Sequence, residues 1–283
     1  MNRAAFDYFA DLLRRESGLQ MTPEKYYLLE TRLLHIVQQQ GVAGIEGLAS
    51  LLRRDEGNRA VRQAVVEAMA THETSFFRDM TPFERLRDVF LPMFAAARAA
   101  DKTLRLWSAA CASGQEAYSL AMLLREYGAP FDGWDVRITG TDISHDIIAR
   151  AQGGAYSQFD VQRGLPARLL VKYFMQDGET WRIKDDIRRM VSFRQANLLQ
   201  PPPFAAGGVD ILFCRNVLMY LDMSSRVRVL QGLHGVMHPK SLLFLGAAES
   251  AGGLGGMFAP LASMPGVYVR NDADIDLPRA PGG

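Results

Sequence analysis

The stretch LWSAACASGQEAYSLAMLL, residues 106–124, combines a short apolar run, a turn of small residues and a second apolar segment with helical spacing. The run before Ala109 is typical of a buried strand, and the segment after Gly114 is typical of a helix. A strand, a tight turn and a helix in this order make the first half of a βαβ unit. The stretch therefore predicts the start of a parallel α/β sheet.

The same alternation continues along the second half of the chain. Three further strand-like runs follow, VRITGTD, VDILFCRN and SLLFLGAA, with helical segments predicted over residues 115–127, 144–152 and 222–237. Buried strands that alternate with helices indicate a doubly wound, Rossmann-like α/β sheet. Two more strand-like runs, ETWRIK and RRMVSFRQA, interrupt this pattern and predict a small antiparallel β insertion at about residues 176–196.

In the first part of the chain the apolar residues are spaced differently. Residues 4 to about 70 carry apolar side chains at helical spacing, as in Phe6, Phe9, Leu12 and Leu13, which predicts a small all-α domain. We therefore expect four segments: an all-α domain (1–70), a helical linker (71–102), an α/β domain (103–271) and a disordered tail (272–283).

Composition excludes several classes of function. The 283 residues hold 32 Lys and Arg against 31 Asp and Glu, so no overall positive field attracts nucleic acid or anionic lipid. Two cysteines are too few for a disulfide framework, and no Cys/His cluster suggests a metal site. Without a signal-peptide or membrane-spanning apolar run, the expected protein is cytoplasmic and not inserted in a membrane.

The turn after the first strand and the end of the second indicate a nucleoside site. The turn alone is equally typical of an ordinary connection, but Asp142 ends the second strand, where a carboxylate can accept hydrogen bonds from both ribose hydroxyls. The turn has a single glycine, Gly114, and not the GxGxxG of a dinucleotide site, and Glu116 follows it. A carboxylate there repels phosphate and attracts an ammonium group. The pattern favours S-adenosylmethionine as the cofactor.

Six motifs carry a resemblance to a known family. They are THETSFFRD (71–79), LWSAACASGQEAYSLA (106–121), GTDIS (140–144), NLL (197–199), FCRNVLMYLD (213–222) and the following LLFLGAAES (242–250). In this order they resemble the CheR family of chemoreceptor glutamate methyltransferases. The resemblance implies a class I S-adenosylmethionine-dependent methyltransferase. Its expected partner is the cytoplasmic helical region of methyl-accepting chemotaxis receptors, and its expected products are glutamate methyl esters and S-adenosylhomocysteine.

The resemblance also implies the site residues. Arg78 and Tyr220 are expected to face the transferred methyl group as catalytic residues. The expected cofactor-binding residues are His72, Thr74, Arg78, Glu116 (amino group), Asp142 (ribose), Asn197 and Leu198 (adenine), and Arg215 and Asn216 (end of the fourth strand). His72 stands where the family usually has Asn.

The implied chemistry needs no general base. A glutamate carboxylate, with an ordinary pKa of about 4.3, is already ionised at neutral pH. An Arg can hold one carboxylate oxygen and a Tyr hydroxyl can orient the other, so Arg78 and Tyr220 suit the task. Cys111 and Cys214 are expected to be small buried apolar residues without a catalytic role.

Two other functions compete with this interpretation. Methylation of nucleic acid would require a basic surface or an NPPY-like motif to hold a flipped base, and the sequence has neither. A non-catalytic S-adenosylmethionine-binding signalling module would be favoured by the loss of Arg78 or Tyr220, and both are present.

The sequence also gives expectations about how the receptor is recognised. Family members that dock a receptor's C-terminal pentapeptide have an extra glycine-containing loop in the β insertion, but YFMQDGETWRIK has only a tight Asp-Gly turn, so no pentapeptide docking is expected. A basic patch of the all-α domain would bind the acidic methylation helices instead, or would be an ordinary solvated face. Its residues are Arg32, Arg53, Arg54, Arg59 and Arg62.

Overall fold

Five helices in the first 70 residues share one apolar core. The computed structural model describes residues 1–253 and 255–273. The helices are α1 (Arg3–Ser17), α2 (Tyr26–Arg32), α3 (Leu34–Gln39), α4 (Gly44–Arg54) and α5 (Arg59–Met69). Their apolar faces meet in a cluster in which Phe9, Leu13 and Leu48 are fully buried. Such a core explains why short helices, which are marginal in isolation, are stable here.

A helical linker joins this bundle to the sheet. Helix α6 (Thr81–Arg85) runs through a π-helical stretch (Leu86–Phe90) into α7 (Leu91–Ala97). Phe83 and Phe90 point from it onto the sheet, with ring centroids 5.6 Å from Phe213 and 5.8 Å from Phe244. The linker therefore covers one face of the sheet.

Seven strands form the main sheet, in the spatial order β6-β2-β1-β7-β8-β10-β9. They are β1 (Thr103–Ala109), β2 (Asp135–Asp142), β6 (Val191–Gln195), β7 (Val209–Cys214), β8 (Met237–Leu245), β9 (Phe258–Pro260) and β10 (Val267–Arg270). Strands β6, β2, β1, β7 and β8 are parallel, whereas β10 is antiparallel to both its neighbours. The predicted doubly wound α/β sheet is confirmed, with an antiparallel edge.

Apolar side chains cover both faces of this sheet. Leu106 and Phe213 belong to one core cluster, and their neighbours Trp107 and Leu212 belong to another, as expected when successive residues of a strand point to opposite faces. The helices that follow β1, β2 and β7 are α8 (Gln115–Tyr127), α9 (His145–Gly153) and α13 (Met223–Val236), each within one residue of the predicted bounds.

A second, three-stranded antiparallel sheet lies between α9 and β6. Its strands, in the order β3-β5-β4, are β3 (Ala155–Ser157), β4 (Phe174–Asp177) and β5 (Thr180–Ile183). Three short helices accompany it: α10 (Gln158–Gln162), α11 (Ala167–Tyr173) and α12 (Asp185–Arg188).

The predicted bounds of the β insertion, 176–196, are therefore wrong. The small sheet begins at Ala155, and the run RRMVSFRQA supplies strand β6 of the main sheet, in parallel register with β2 from Ile138 opposite Val191. Strand β6 lies at the sheet edge, so most of its side chains are partly or fully exposed, and its pattern resembles that of a solvated antiparallel strand. Because β2 and β6 are far apart in the chain, local periodicity does not reveal that they pair.

The helical bundle packs against the end of the sheet where the parallel strands finish. Residues 18–20, just after α1, pair with residues 220–222, where Leu19 bridges Leu221. The Gln20 N–H donates to the carbonyl of Tyr220 at 2.9 Å. From position 274 onward the predicted tail lies outside the described residues. Within 1–253 and 255–273, no helix is long and apolar enough to cross a membrane.

Candidate functional site

The turn between β1 and α8 has an unusual backbone that only small residues accommodate easily. Ala110 and Ala112 have φ values of 55° and 47°, and Gly114 has a φ of 91°. A Cβ atom on Gly114 would lie 3.0 Å from both Ala151 and Phe193. Left-handed residues cluster where a backbone must approach a ligand or another segment closely. The turn is thus shaped to bring backbone atoms close to the cavity at the strand ends.

Asp142 is held at the end of β2 by backbone donors. Its side chain is 6% exposed, its Oδ2 accepts the Ala112 N–H at 2.9 Å, and its Oδ1 accepts the Ser144 N–H at 3.2 Å. The Nε2 atom of His72 lies 3.4 Å from the same Oδ1. Since each carboxylate oxygen has two lone pairs, the carboxylate keeps capacity for hydroxyl donors from the cavity.

Glu116, in the first turn of α8, is also fixed. Its Oε1 accepts the Ser108 hydroxyl at 2.7 Å, and its Oε2 accepts from Nη1 of Arg215 at 3.1 Å. The side chain is 11% exposed, and the guanidinium compensates the charge that burial would otherwise disfavour. A carboxylate held in this way can accept from an ammonium group in the cavity.

Arg215, directly after β7, ties the linker to the sheet. Besides Glu116, its guanidinium donates to the carbonyl of Arg78 at 2.9 Å and to Oδ2 of Asp79 at 2.8 Å. Both Asp79 and its near neighbour Phe77 have positive φ, at 59° and 46°. The strained SFFRD segment is therefore held in place by the arginine that directly follows β7.

The two expected catalytic residues reach the same cavity from opposite segments. Nη1 of Arg78 donates to the carbonyl of Glu73 at 3.0 Å, and Thr74 lines the wall beside it. Tyr220 ends a short 3₁₀ helix, Leu218–Tyr220. Its backbone carbonyl accepts the Gln20 N–H, and the residue lines the cavity.

Asn197 and Leu198 form the wall on the side of the helical bundle. The Asn197 amide nitrogen donates to the carbonyl of Glu16 at 2.6 Å, and its Oδ1 accepts the Leu199 N–H at 3.0 Å. The side chain thus already joins α1 to the α/β domain, a role that the motif did not indicate.

All the sequence-derived site residues line one cavity, with a volume of about 940 Å³ that includes its open mouth. They are His72, Thr74, Arg78, Glu116, Asp142, Asn197, Leu198, Arg215, Asn216 and Tyr220. The helical bundle adds Ser17 and Leu19.

Two buried polar atoms in this wall lack a hydrogen-bond partner among the described residues, Nε2 of His72 and Nε of Arg215. An unpaired buried donor costs roughly 1–3 kcal/mol, so such atoms suit a site where a ligand supplies the partner. A ligand with hydroxyl, carboxylate and ammonium groups could bond to His72, Arg215, Asp142 and Glu116. The donor set therefore fits S-adenosylmethionine.

The two cysteines are not poised as nucleophiles. Burial, with smaller contributions from Asp142 and Glu116, raises the pKa of the Cys111 thiol well above its ordinary value. Burial likewise raises the pKa of Cys214, with Glu249 as the next contributor. Both thiols are protonated at neutral pH, and only the thiolate is a strong nucleophile.

Sequence reasoning missed Glu249, which lies four residues after β8. Its carboxylate is buried and accepts backbone N–H groups of the segment that carries Asn216 and Tyr220. The motif LLFLGAAES contains this residue, but the resemblance implied no role for it, and one acidic residue after a strand is a weak signal.

The five arginines of the expected basic patch differ in how far they are engaged within the helical domain, and the patch itself stays a prediction. Arg32 donates to the carbonyls of Met69 and Ala70, both at 3.0 Å, at the end of α5. Arg53 donates to the carbonyl of Ala4 at 2.5 Å. The side chain of Arg62 is only 14% exposed. Long basic side chains commonly serve such internal contacts, which sequence spacing does not reveal.

Comparison with known proteins agrees with this geometry. The family profile described as "CheR methyltransferase, SAM binding domain" matches residues 72–266, and "CheR methyltransferase, all-alpha domain" matches residues 4–70. Chemotaxis protein methyltransferase 1 of Pseudomonas aeruginosa is 36% identical over 271 residues, 94% of this chain and 97% of the relative.

Another relative, the chemotaxis protein methyltransferase of Vibrio parahaemolyticus, is 36% identical over 267 residues, 93% of this chain and 94% of its own length. Among solved structures, the methyltransferase domain of bacterial CtHen1-C covers 58% of this chain and 65% of its own, with a TM-score of 0.32 and 18% identity, which is too low to carry an argument. The two profile matches and the long alignments show that the chain belongs to the CheR methyltransferase family.

Proposed function

We propose that this protein transfers the methyl group of S-adenosylmethionine to glutamate side chains of chemoreceptors, giving methyl esters in chemotaxis adaptation. The observation that carries the proposal is the single cavity in which Asp142, Glu116, Arg78 and Tyr220 meet in a chain of this family. The acceptor is the cytoplasmic helical region of the receptor, as the relatives' function in chemotaxis suggests.

The cofactor is held through groups whose chemistry matches its own. Asp142 accepts from the ribose hydroxyls, and Glu116 accepts from the amino group. Arg215 Nε donates to the carboxylate, since that atom is buried and has no other partner among the described residues. Leu198 and Asn197 form the wall for adenine, and the small residues Ala110 and Ala112 leave room for the ligand beside the backbone.

When bound, S-adenosylmethionine would supply an electrophilic methyl group on a sulfonium sulfur. Transfer to a carboxylate oxygen of the acceptor glutamate would form a C–O bond and break the C–S bond, and the electron pair of the broken bond would stay on the sulfur of a neutral thioether. No proton moves, so no residue of this chain has to act as a base. The task of the protein is alignment and exclusion of water.

Arg78 and Tyr220 align the acceptor. The guanidinium of Arg78 binds the carboxylate oxygen that does not react, and the hydroxyl of Tyr220 donates to the attacking oxygen and fixes its direction. The backbone of both residues is held in place: the carbonyl of Arg78 accepts from the Arg215 side chain, and the carbonyl of Tyr220 accepts from the Gln20 N–H. Little further ordering of these two segments is therefore needed when the acceptor enters.

The receptor is recognised without its C-terminal pentapeptide. Strand β4 ends at Asp177 and β5 begins at Thr180, so only Gly178 and Glu179 connect them, and Gly178 has a φ of 60°. A two-residue hairpin has no extra loop to form a peptide groove. Of the arginines expected to form a patch, Arg53, Arg54 and Arg59 are exposed, and none of the three forms an ion pair among the described residues. We infer a modest electrostatic contribution to receptor binding from these three.

The proposal is tested by incubating the protein with methyl-labelled S-adenosylmethionine and a receptor cytoplasmic fragment. We expect label in the receptor that mild alkali releases as methanol, because carboxylate esters hydrolyse under conditions that leave N-methyl and S-methyl groups intact. Matched reactions contain the Asp142→Ala variant, or a receptor whose acceptor glutamates are replaced by alanine. A receptor that gains no label while the protein binds the cofactor tightly would favour the alternative, a non-catalytic signalling module.

A further inference from the structure

A single buried carboxylate organises the segment that follows β7. Oε2 of Glu249 accepts the N–H of Asn216 at 2.7 Å and of Gly246 at 2.8 Å. Oε1 accepts the N–H of Val217 at 2.8 Å and of Met219 at 3.2 Å. The residue is 9% exposed. Four backbone donors therefore converge on one side chain.

This pattern suits a carboxylate, because both of its oxygens can accept hydrogen bonds. A glutamine in its place would have one acceptor oxygen and one NH2 group, and that NH2 group would face two of the backbone N–H donors. Within the described part of the chain no Lys, Arg or His forms an ion pair with Glu249, so the four N–H groups themselves stabilise the buried charge. The carboxylate and the backbone segment thus depend on each other.

The backbone around Glu249 has little freedom to adopt another arrangement. Asn216 has a φ of 59°, in the left-handed region. A Cβ atom on Gly246 would lie 2.8 Å from both Asn216 Nδ2 and Glu249 Oε2. The segments after β7 and β8 are therefore packed face to face, with the carboxylate between them.

We propose that Glu249 is a positioning residue for methyl transfer: it fixes the 216–219 backbone and so places the Tyr220 side chain in the cavity. The inference rests on the proposed function. Tyr220 directly follows the last bonded residue, Met219, and Asn216 lines the cavity itself. A displacement of about 1 Å in a catalytic group can cost roughly a hundredfold in rate, so the backbone that carries Tyr220 needs such a support.

The first experiment compares Glu249→Gln with the parent and with Glu179→Gln, a matched change at an exposed position in the β4–β5 turn. We expect Glu249→Gln to lower kcat by roughly tenfold to a hundredfold. Cofactor affinity should fall less than kcat, because Asp142 and Glu116, which bind the ribose and the amino group, lie outside the 216–219 segment. A folded Glu249→Gln protein with the parental kcat would overturn the proposal.

A double-mutant cycle with Tyr220→Phe separates positioning from general stability. If Glu249 acts through Tyr220, the Glu249→Gln change should cost much less in the Tyr220→Phe background than in the parent. Equal costs in both backgrounds would contradict the proposal.

Hydrogen exchange provides a test that needs neither the variant to fold nor the receptor to be methylated. In the parent, the amides of residues 216, 217, 219 and 246 should exchange slowly. Exchange at the rate of unprotected amides would overturn the inference, whereas a parent that shows slow exchange but no receptor methylation would contradict only the proposed function.

Discussion

At the scale of single residues, the site depends on polar groups with few alternatives. Asp142 is held by backbone N–H groups of two turns, Glu116 is held by Ser108 of β1 and by Arg215, and both carboxylates retain capacity toward the cavity. The sequence motifs identified these positions because residue type and strand-end location suffice for that inference. The sequence did not predict a role for Glu249, because its four partners are backbone N–H groups from two segments, and local sequence patterns do not show that these segments are neighbours.

Replacement of Asp142 by Ala should weaken the binding of S-adenosylmethionine and of S-adenosylhomocysteine by more than tenfold, from the loss of hydrogen bonds worth roughly 1.5–3 kcal/mol. Isothermal titration calorimetry measures the change. Asp146→Ala serves as the control, since that side chain is 96% exposed and lies one turn away. Equal affinity in Asp142→Ala and the parent would remove Asp142 from the cofactor site.

Replacement of Arg78 by Ala, or of Tyr220 by Phe, should lower kcat more than cofactor affinity, because both side chains act on the acceptor in the transition state. Tyr220→Phe keeps the backbone bond to Gln20, so the fold should be retained. Initial rates at saturating cofactor provide the measurement. If either variant works at the parental rate, that residue has only a structural role.

At the scale of secondary structure, the alternating pattern predicted the helices after β1, β2 and β7 well because each buries an apolar face against the sheet. Strand β6 was misassigned to the insertion because an edge strand has exposed side chains, and its partner β2 lies far away in the chain. The helices that accompany the small sheet contact the main domain. Glu126, near the end of α8, accepts from Arg168, Lys172 and Tyr173 of α11.

Glu126 should make stability depend on pH in acid. Its hydrogen bonds with Lys172 and Tyr173, and with Arg168, lower its pKa from the model-compound 4.5 to about 2. A carboxyl group with a lowered folded-state pKa contributes stability that is full above about 4.5 and is lost as the pH falls toward 2.

We therefore expect Glu126→Gln to lower the urea midpoint of unfolding at pH 7. The decrease should be modest, because the cationic partners Arg168 and Lys172 are largely solvent-exposed. The difference from the parent should shrink as the pH falls from 5 toward 3. Glu179→Gln, at an exposed position, should show no such trend. A difference that is constant with pH would show that the Glu126 charge does not act in this way.

At the scale of the whole molecule, the helical bundle completes the cavity that the α/β domain begins. Ser17 and Leu19 line it, and residues 18–20 pair with the segment that carries Tyr220. Sequence patterns predicted both units but not this contact, since residues in a connecting turn carry no periodic signal. The expected basic recognition surface stays a prediction at this scale, although Arg32 and Arg53 also donate to backbone carbonyls within the bundle, which the sequence did not indicate.

Gly18 tests the importance of this contact. It has a φ of 75°, and a Cβ atom there would lie 2.7 Å from Cβ of Ser225 on α13. Gly41 has a similar φ of 61° but no neighbour within 4 Å, so Gly41→Ala isolates the backbone penalty, about 1 kcal/mol. Gly18→Ala should lower Tm and cofactor affinity more than Gly41→Ala does, as thermal melts and calorimetry would reveal. Equal effects would mean that the contact is not needed for the cavity.

The most direct test of the central claim is peptide mapping by mass spectrometry of a receptor cytoplasmic fragment after incubation with S-adenosylmethionine and this protein. The account predicts added methyl groups on glutamate side chains of the receptor's helical region, at a rate greatly reduced by Tyr220→Phe. Methyl groups found on other residue types, or a receptor left unmodified by a protein that binds the cofactor, would contradict it.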